Sequence, residues 1–299
     1  MESVHKTVLL NETVDGLNLV PKAIVLDGTF GGGGHSVDVC KKYPGTKIIA
    51  IDQDKGAWDK AKSKFENVDC KVSFHNLNFR DLDKALEIEG LKEVDGIILD
   101  IGLSSDQLDN SGRGFSFMKD EPLLMTMKEN PLLEDLTAMD VVNGWSEKSL
   151  ADIIYGYGEE RFSRRIAKGI VEARKKKKIE TTWELVKIIE DNVPTVYRKG
   201  RLHFATKTFQ ALRIAVNDEL GALEMGLHKG FEALKVGGRM SVISFHSLED
   251  RIVKIFYKEK QKEGKAKLIN KKPIVGKEEE IKSNRRARSA KLRILEKVS

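Results

Sequence analysis

Five short apolar runs, each ending in polar or glycine residues, constrain the fold of this 299-residue chain more than any other feature. The runs are IVLDGTF (24–30), KIIAIDQD (47–54), KVSFHNL (71–77), GIILDIGL (96–103) and GRMSVISFHS (238–247). Continuous apolar runs of this length are typical of strands buried on both faces of a parallel sheet. Helical patterns at 35–43, 55–66 and 79–89 separate the first four runs. The alternation predicts an α/β fold with a Rossmann-like, doubly wound sheet.

The short distance between successive apolar runs is interrupted once, between the fourth and fifth runs. This long gap predicts an inserted domain. Helical patterns fill it at 147–158, 160–178 and 181–193, with Thr181 or Thr182 as the N-cap before Glu184. We therefore predict three segments: 1–105 as the first part of the core, 106–205 as an inserted all-helical domain that recognises the substrate, and 206–299 as the second part of the core.

The segment after the insertion predicts a helix and a closing hairpin. Apolar residues from Phe209 to Leu234 recur at helical spacing, which predicts one long helix that stops at Gly237 and Gly238. The apolar stretches 267–275 and 290–298 enclose a charged loop and predict two antiparallel strands.

Charge is distributed unevenly along the chain. The net charge is +6, but residues 160–213 carry +9 and residues 254–299 carry +10, which leaves −13 on the remainder. Two basic segments of this size favour a polyanion such as nucleic acid as partner, because each neutralised phosphate releases condensed counterions. The alternative for any single run is a solvated surface.

The N-terminal residues and the cysteines indicate the compartment. The first seventeen residues mix charges with apolar positions and contain no run typical of a signal peptide or a membrane span. Cys40 and Cys70 have neither zinc-site nor disulfide-framework spacing, so we expect two reduced packing residues and no metal. A cytoplasmic protein without a membrane partner is predicted.

A glycine-rich turn, Asp27-Gly-Thr-Phe-Gly-Gly-Gly-Gly-His35, follows the first strand. Consecutive glycines lose much backbone entropy on folding. Such a turn is therefore expected where a ligand must approach the main chain closely. Dinucleotide-binding proteins also use a glycine-rich turn, but this one lacks the G-x-G-x-x-G pattern, and the chain has no P-loop. A loop with no phosphate to hold suits the tail and sulfonium of S-adenosylmethionine.

Side chains at the ends of later strands fit an adenosine cofactor. Asp52 ends the second strand, where a carboxylate accepts hydrogen bonds from ribose hydroxyls, although NAD would use the same group. Helix capping there is better assigned to Asp54. Phe79 after the third strand can cover an adenine face or pack in the core. Asp100 ends the fourth strand, where an acceptor can orient an exocyclic amine, or it is a structural cap.

Eight segments carry a resemblance to a known family. The chain resembles the MraW/RsmH family of ribosomal small-subunit RNA cytosine-N4 methyltransferases, from Val8 to Lys297. The segments are DGTFGGGGHS, AIDQD, DGIILDIGLSSDQLD, RGFSF, YGEERFSRRIAKGIV, TFQALRIAVNDEL, GGRMSVISFHSLEDRIVK and RSAKLR. The resemblance implies a class I S-adenosylmethionine-dependent methyltransferase fold and a cytidine near the decoding site of 16S RNA as substrate.

The resemblance also implies site residues. Cofactor-binding positions would be Gly33, Gly34, His35, Asp52, Phe79, Asp100 and Gln107. Catalytic positions would be Asp100, Ser104 and His246, with His246 alternatively part of a capping cluster that includes Glu249 and Asp250. A base in helical RNA must be unpaired or flipped to reach such a site. RNA-contacting positions would be Arg113, Phe115, Phe117, Arg164, Arg165, Arg286 and Arg288, with Phe115 or Phe117 stacking on the target base.

Some positions depart from the family pattern. Leu124 and Thr126 stand where the family has an acid and an arginine, Lys207 where arginine is usual, and Arg285 where proline is usual. These changes keep open a divergent paralogue that acts on another RNA site and a non-catalytic RNA-binding relative. A DNA or protein methyltransferase would share the core but show a different fourth-strand motif. The sequence leaves the oligomeric state open, a homodimer included.

Overall fold

The computed structural model describes residues 6–103, 105–128 and 131–299, without the side chains at 105, 106 and 109. It divides the chain into two compact units. The core unit runs to Gly102 and continues from Leu220 to Ser299, and the helical unit is Leu103–Glu219. The helical unit extends past the predicted end at 205, because Phe209 and Leu212 belong to its apolar core.

Eight strands form one sheet within the described ranges, in the order β3-β2-β1-β4-β5-β8-β6, with β7 also paired to β8. β1 to β5 are parallel neighbours, whereas β8 is antiparallel to β5, β6 and β7. The mostly parallel, doubly wound sheet predicted from the apolar runs is confirmed. The strands are β1 Ile24–Asp27, β2 Thr46–Ile51, β3 Cys70–His75, β4 Val94–Asp100, β5 Leu234–Ser244, β6 Ala266–Leu268, β7 Ile274–Val275 and β8 Lys291–Lys297.

Helices flank the sheet and build the helical unit. They are α1 Leu10–Gly16, α2 Gly34–Lys42, α3 Gly56–Ala61, α4 Leu82–Ile88, α5 Ser105–Asn110, α6 Ala138–Gly144, α7 Glu147–Gly156, α8 Ser163–Arg174, α9 Thr182–Asn192, α10 Thr195–Arg198, α11 Thr206–Asn217, α12 Glu219–Ala233, α13 Ser247–Lys262 and α14 Glu278–Ser283. Short 3-10 helices lie at Lys62–Phe65 after α3, at Phe79–Asp81 after β3 and at Arg285–Arg288 after α14.

Alternation along the strands sends neighbouring side chains to opposite faces of the sheet. Leu26 and Ile49 pack in the apolar cluster that also holds residues of α4, α12 and α13. Val25 and Ile48 pack in the cluster on the other face with residues of α1 and α2. All four side chains are fully buried, and each contributes roughly 1.5 to 3 kcal/mol to stability by its removal from water.

The helical unit has its own core, made where the amphipathic faces of its helices meet. Helix α8 packs against both α7 and α9. Thr181 caps α9, with Glu184 closing the capping box. The buried apolar residues of the helical unit include Leu150, Ile154, Ile166, Ile170, Leu185, Ile189 and Leu212.

The single long helix predicted through Phe209 and Leu234 is wrong. Asp218 adopts a left-handed backbone (φ 47°) and separates α11 from α12. Asp and Asn tolerate this conformation better than other non-glycine residues, so the Asn217-Asp218 pair favours a break. The chain then leaves α12 at Ala233, and β5 begins at Leu234, ahead of the two glycines.

The expectation of two reduced cysteines is also wrong in this structure. Cys40 of α2 and Cys70 of β3 form a disulfide, with a Cα–Cα distance of 5.6 Å. The parallel register places Cys70 beside Thr46, at the start of β2, and α2 ends just before β2. Sheet pairing therefore brings together two residues that are 30 positions apart.

Membrane insertion finds no support in the helices. Among residues 6–103, 105–128 and 131–299, no helix combines the length and the apolar character that a membrane crossing requires.

Candidate active site

The end of β1 carries a buried carboxylate that organises the glycine turn. Asp27 is 2% exposed and accepts hydrogen bonds from the Ser36 hydroxyl (2.6 Å) and the Thr29 amide (3.2 Å). Burial raises the pKa of Asp27 to about 6, and the Ser36 bond only partly opposes the shift. Asp27 thus ties the first turn of α2 to the strand before it.

The four glycines fall into two pairs with different reasons for lacking a side chain. A Cβ at Gly33 would lie 2.9 Å from Phe30 Cζ, and one at Gly34 would lie 1.8 Å from Thr7 Oγ1, so both are small because the protein packs against them. A Cβ at Gly31 or Gly32 would meet no atom closer than 3.6 Å. The open part of the turn is therefore at Gly31 and Gly32, where a ligand can approach the backbone.

The carboxylate of Asp52, just beyond β2, lies directly beside this open part. Asp52 Oδ2 accepts the Gly31 amide at 2.7 Å, and Oδ1 accepts the Asp54 amide at 2.8 Å. Burial raises the pKa of Asp52 to about 6, against the opposing effect of these two amides. Asp54 accepts the Gly56 amide at the start of α3, although the N-cap position of this helix is Lys55 and not Asp54 as expected.

Asp100 and Phe79 lie around the same edge of the sheet. The Asp100 amide donates to Thr29 Oγ1 at 2.6 Å, which links the end of β4 to the glycine turn. A Cβ at Gly28 would lie 3.2 Å from Phe79 Cβ, so Phe79 also approaches the end of β1. A Cβ at Gly226 would lie 2.6 Å from Phe79 Cδ2, which places the ring against α12 and favours its core-packing role.

His35 is buried behind the turn. Its Nε2 lies 3.2 Å from the Val8 carbonyl, and only 5% of the residue is exposed. Burial lowers the pKa of His35, so the neutral ring with its proton on Nε2 donates to that carbonyl. These contacts assign His35 to holding the N-terminal segment on α2.

His246 caps the helix that follows β5. Its Nδ1 accepts the Glu249 amide at 3.4 Å, while Glu249 accepts the Phe245 and His246 amides in a capping box. Asp250 pairs with Arg293 (2.7 Å) and Lys291 (3.2 Å) of β8; burial raises its pKa, but these cations prevail and lower it. The capping cluster foreseen as the alternative to a functional His246 is thus formed.

Arg286 lies over an aromatic ring at the end of β5. Its guanidinium carbon is 5.2 Å from the centre of the Phe245 ring. A Cβ at Gly102 would be 3.5 Å from Phe245 Cδ2, so Phe245 and Arg286 lie on the side of the sheet edge where β4 ends. Arg288 is exposed on the same 3-10 turn.

Three predicted RNA contacts in the helical unit are occupied by internal interactions. Arg113 is 7% exposed, and its Nη1 donates to the carbonyls of residues 126, 127 and 128. Phe115 is buried in the core of the helical unit, and Phe117 stacks on His203 with ring centres 4.5 Å apart. This placement argues against direct RNA contact by Arg113 and Phe115.

The segment with the unusual Leu124 and Thr126 is held by its backbone. Besides Arg113, the Asn217 side chain accepts the Met127 amide and donates to the Met125 carbonyl, both at 2.8 Å. Neither contact uses a side chain at 124 or 126, although the Thr126 hydroxyl itself accepts the Lys128 amide at 3.3 Å. Most of the contacts that hold this segment are therefore made by its backbone.

The remaining predicted residues are placed as follows. Gln107 is buried on α5 of the helical unit, and Arg164 and Arg165 are exposed on α8. Ser104 lies outside the described residues. Sequence reasoning missed Thr29, Ser36 and Phe245, although all three lie inside the quoted motifs.

The sheet order, the open glycine turn and the Asp52 carboxylate are typical of α/β proteins that bind a nucleoside-containing cofactor at the carboxyl ends of their strands. The model of the MraW methylase family matches residues 2–298. Ribosomal RNA small subunit methyltransferase H from Brevibacillus brevis is 45% identical, and the enzyme of that name from Limosilactobacillus fermentum is 44% identical, each over 98% of both chains.

A solved rRNA methylase from Streptococcus thermophilus aligns over 98% of each chain with a TM-score of 0.46 and 11% identity, a likeness that carries no argument here. The family model and the relatives suffice: the chain belongs to the MraW methylase family. It is a methyltransferase, and its methyl donor is S-adenosylmethionine.

Proposed function

We propose that the chain methylates the N4 amino group of a cytidine near the decoding site of small-subunit (16S) ribosomal RNA. The proposal is supported by the hydrogen bonds that join the glycine turn after β1 to Asp52 beyond β2 and to Asp100 at the end of β4. These bonds occur in a chain that is 45% identical to a small-subunit RNA methyltransferase. The partner would be the small subunit or its RNA, in the cytoplasm. A homodimer stays a prediction that light scattering can check.

The residues around the turn fit the cofactor. S-adenosylmethionine, when bound, supplies an electrophilic methyl group. Gly31 and Gly32 offer open backbone for its amino-acid tail, although the family pattern points to Gly33 and Gly34, whose amides begin α2. Asp52 would accept the ribose hydroxyls, and Phe79 would border the adenine. A cationic cofactor would also favour the ionised form of carboxylates whose pKa is raised by burial.

Asp100 would orient the target amine. Its backbone is fixed by Thr29, so its carboxylate projects from a rigid strand end rather than from a mobile loop. An acceptor at this point can hold the amino group of cytosine in position, and alignment supplies most of the acceleration because no covalent intermediate is required. Within the described residues both cysteines are in the disulfide, which fits a mechanism without a cysteine nucleophile.

RNA as the substrate is supported by the two basic segments. Lys175 to Lys178 are exposed after α8, and Arg285 and Arg288 are exposed after α14. Each phosphate contact on single-stranded RNA should contribute about 0.7 to the slope of log affinity against log salt. Mutation of Lys175–Lys178 and, separately, of Arg285, Arg286 and Arg288 to glutamate should weaken RNA binding in both variants.

The test is transfer of a labelled methyl group to small-subunit RNA taken from a strain that lacks the gene. Nuclease digestion and mass spectrometry should identify N4-methylcytidine at one position. Asp100→Asn should lower the single-turnover rate more than it lowers cofactor affinity, whereas Asp83→Asn, on the exposed pair with Lys229, should change neither. RNA binding without methyl transfer would contradict the proposal and identify a non-catalytic relative, and another modified nucleotide would identify a divergent paralogue.

A further inference from the structure

The helical unit contains a pocket that sequence reasoning did not identify. Its volume is about 380 Å³, and it lies where α7 and the start of α8 meet. Its lining residues are Ala151, Asp152, Tyr155, Arg161, Phe162, Ser163, Arg164 and Arg165. Three arginines around one small pocket give it a strongly positive character, since its single acid, Asp152, is already paired with Lys148 at 2.6 Å.

The three guanidiniums carry charges that no carboxylate of the described residues neutralises. Across the part of the chain that the structure describes, Arg161, Arg164 and Arg165 form no ion pair. Exposed lysines on the same helices do form them: Lys148 pairs with Asp152, Lys168 with Glu172, and Lys187 on α9 with Asp191. Like charges held together without a counter-charge repel one another, so an arrangement of this kind favours an external anion.

Aromatic rings hold two of the three arginines, Arg161 and Arg165, in place. The guanidinium carbon of Arg161 is 4.8 Å from the centre of the Phe162 ring and 5.1 Å from that of Tyr197, and the guanidinium carbon of Arg165 is 6.0 Å from the Phe162 ring. Beneath them, fully buried Glu160 accepts the Tyr197 hydroxyl and the Phe162 amide. The rings are thus fixed, and the guanidiniums lose little freedom when a ligand binds.

Tyr155 adds an exposed aromatic side chain to the same pocket. It is 67% exposed, although a ring of this size is usually more buried. Guanidinium groups bind phosphate oxygens with matched geometry, and aromatic faces stack on unpaired bases. A pocket with both features and a volume of about 380 Å³ fits a single nucleotide better than a duplex.

We propose that this pocket binds one unpaired nucleotide of the RNA substrate, with its phosphate among Arg161, Arg164 and Arg165 and its base against Tyr155. The proposal rests on RNA being the substrate and adds a contact remote in sequence from the glycine turn. It assigns the YGEERFSRR segment to substrate positioning: Glu160 and Phe162 build the support, and the arginines and Tyr155 bind.

The test uses fluorescence anisotropy of the full-length protein with a labelled single-stranded oligoribonucleotide. Arg164→Gln combined with Arg165→Gln should reduce the slope of log affinity against log salt by about 0.7, the contribution of one phosphate on a single strand. The matched control is Lys168→Gln combined with Lys187→Gln, which removes two exposed charges of the helical unit that do not line the pocket and should change the slope by less than half as much.

Stacking is tested separately. Tyr155→Ala should weaken oligonucleotide binding by roughly 5- to 100-fold, and Tyr155→Phe should retain it. Abasic substitution at one position of the oligonucleotide should weaken binding to the wild type but not further weaken binding to Tyr155→Ala. Calorimetry should show unchanged S-adenosylmethionine affinity in all variants, which establishes that they are folded.

The outcomes separate this inference from the proposed function. If the wild type methylates RNA but the arginine and tyrosine variants bind it like the control, the pocket is not an RNA site and the proposed function stands. If the variants bind the oligonucleotide normally but lose affinity for the assembled small subunit, the pocket contacts protein and the RNA proposal is overturned. If the wild type binds no RNA, the proposed function itself fails.

Discussion

The Gly31 amide donates to the Asp52 carboxylate at 2.7 Å, so the open turn after β1 and the end of β2 are one hydrogen-bonded structure. The carboxylate has a second amide partner in Asp54 and is held in a fixed orientation. A cofactor that contacts both the turn and this carboxylate would therefore meet a preorganised surface, which lowers the entropic cost of binding.

Replacement of Asp52 by asparagine should weaken S-adenosylmethionine binding by one to two orders of magnitude, because hydrogen bonds to a charged acceptor are worth roughly 1.5 to 3 kcal/mol each. Isothermal calorimetry measures the affinity, and circular dichroism checks the fold. Asp54→Asn is the matched control, since the Asp54 side chain accepts an amide at the start of α3. Equal effects of the two substitutions would remove Asp52 from the cofactor site.

Asp27 should make the stability of the cofactor-free protein depend on pH. Because burial raises its pKa from 3.8 to about 6 in the folded state, its contribution to the free energy of unfolding is present below the unfolded value and is lost as pH rises through about 6. The loss should be about 3 kcal/mol between roughly pH 4 and pH 7.

Urea unfolding of the wild type and of Asp27→Asn over this range isolates the effect. His35 titrates with the opposite sign, because a lowered pKa removes stability as pH falls. It is also coupled electrostatically to Asp27, so the difference between the two curves reports Asp27 together with its coupling to His35. A difference that does not vary with pH would show that Asp27 titrates like an exposed carboxyl.

Reduction of the Cys40–Cys70 disulfide should destabilise the core unit. The bond spans 30 residues, for which loop closure predicts about 3 to 4 kcal/mol. Denaturant unfolding with and without reductant measures the change. The double variant Cys40→Ser with Cys70→Ser should no longer respond to reductant, and free thiols in the untreated, unfolded protein would contradict the bond.

Arg113→Leu should destabilise the protein without direct loss of RNA contact. Removal of the guanidinium takes away hydrogen bonds to the carbonyls of residues 126 to 128, at a cost of roughly 1.5 to 3 kcal/mol or more. The exposed Arg164→Leu should change stability by only about 0.5 kcal/mol. RNA affinity of folded Arg113→Leu should match the wild type, and a loss of affinity at unchanged stability would return Arg113 to the RNA surface.

Much of the core unit is predictable from sequence, because strands buried on both faces must be apolar runs. The ends of those runs place Asp52 and Asp100 at the edge of the sheet before any coordinates are known. Cys40 and Cys70 could also have been paired, had the parallel register of β2 and β3 been applied to them. Composition and cysteine spacing alone contain no information on which strands pair.

The helical unit is less predictable from sequence for another reason. Arg113 looks like a surface cation in sequence, but its partners are backbone carbonyls, which no residue letter indicates. The pocket arginines lie in the motif YGEERFSRR, which the sequence shows. Which carboxylates come close to them depends on how α7 and α8 pack, and the sequence does not show that. At Asp218 the opposite holds. The residue type locally favours a helix break, but the apolar periodicity continues across it and predicts one helix.

The insertion of the helical unit also sets the order in which the sheet is completed. Residues 99 and 100 of β4 pair with residues 242 and 243 of β5, which are synthesised only after Leu103–Glu219. At roughly 5 to 20 residues per second, the free edge of β4 stays uncovered on the nascent chain for on the order of ten seconds. An uncovered, apolar strand edge is a template for intermolecular pairing. Slow translation within 103–219 would therefore prolong the period in which nascent chains can aggregate.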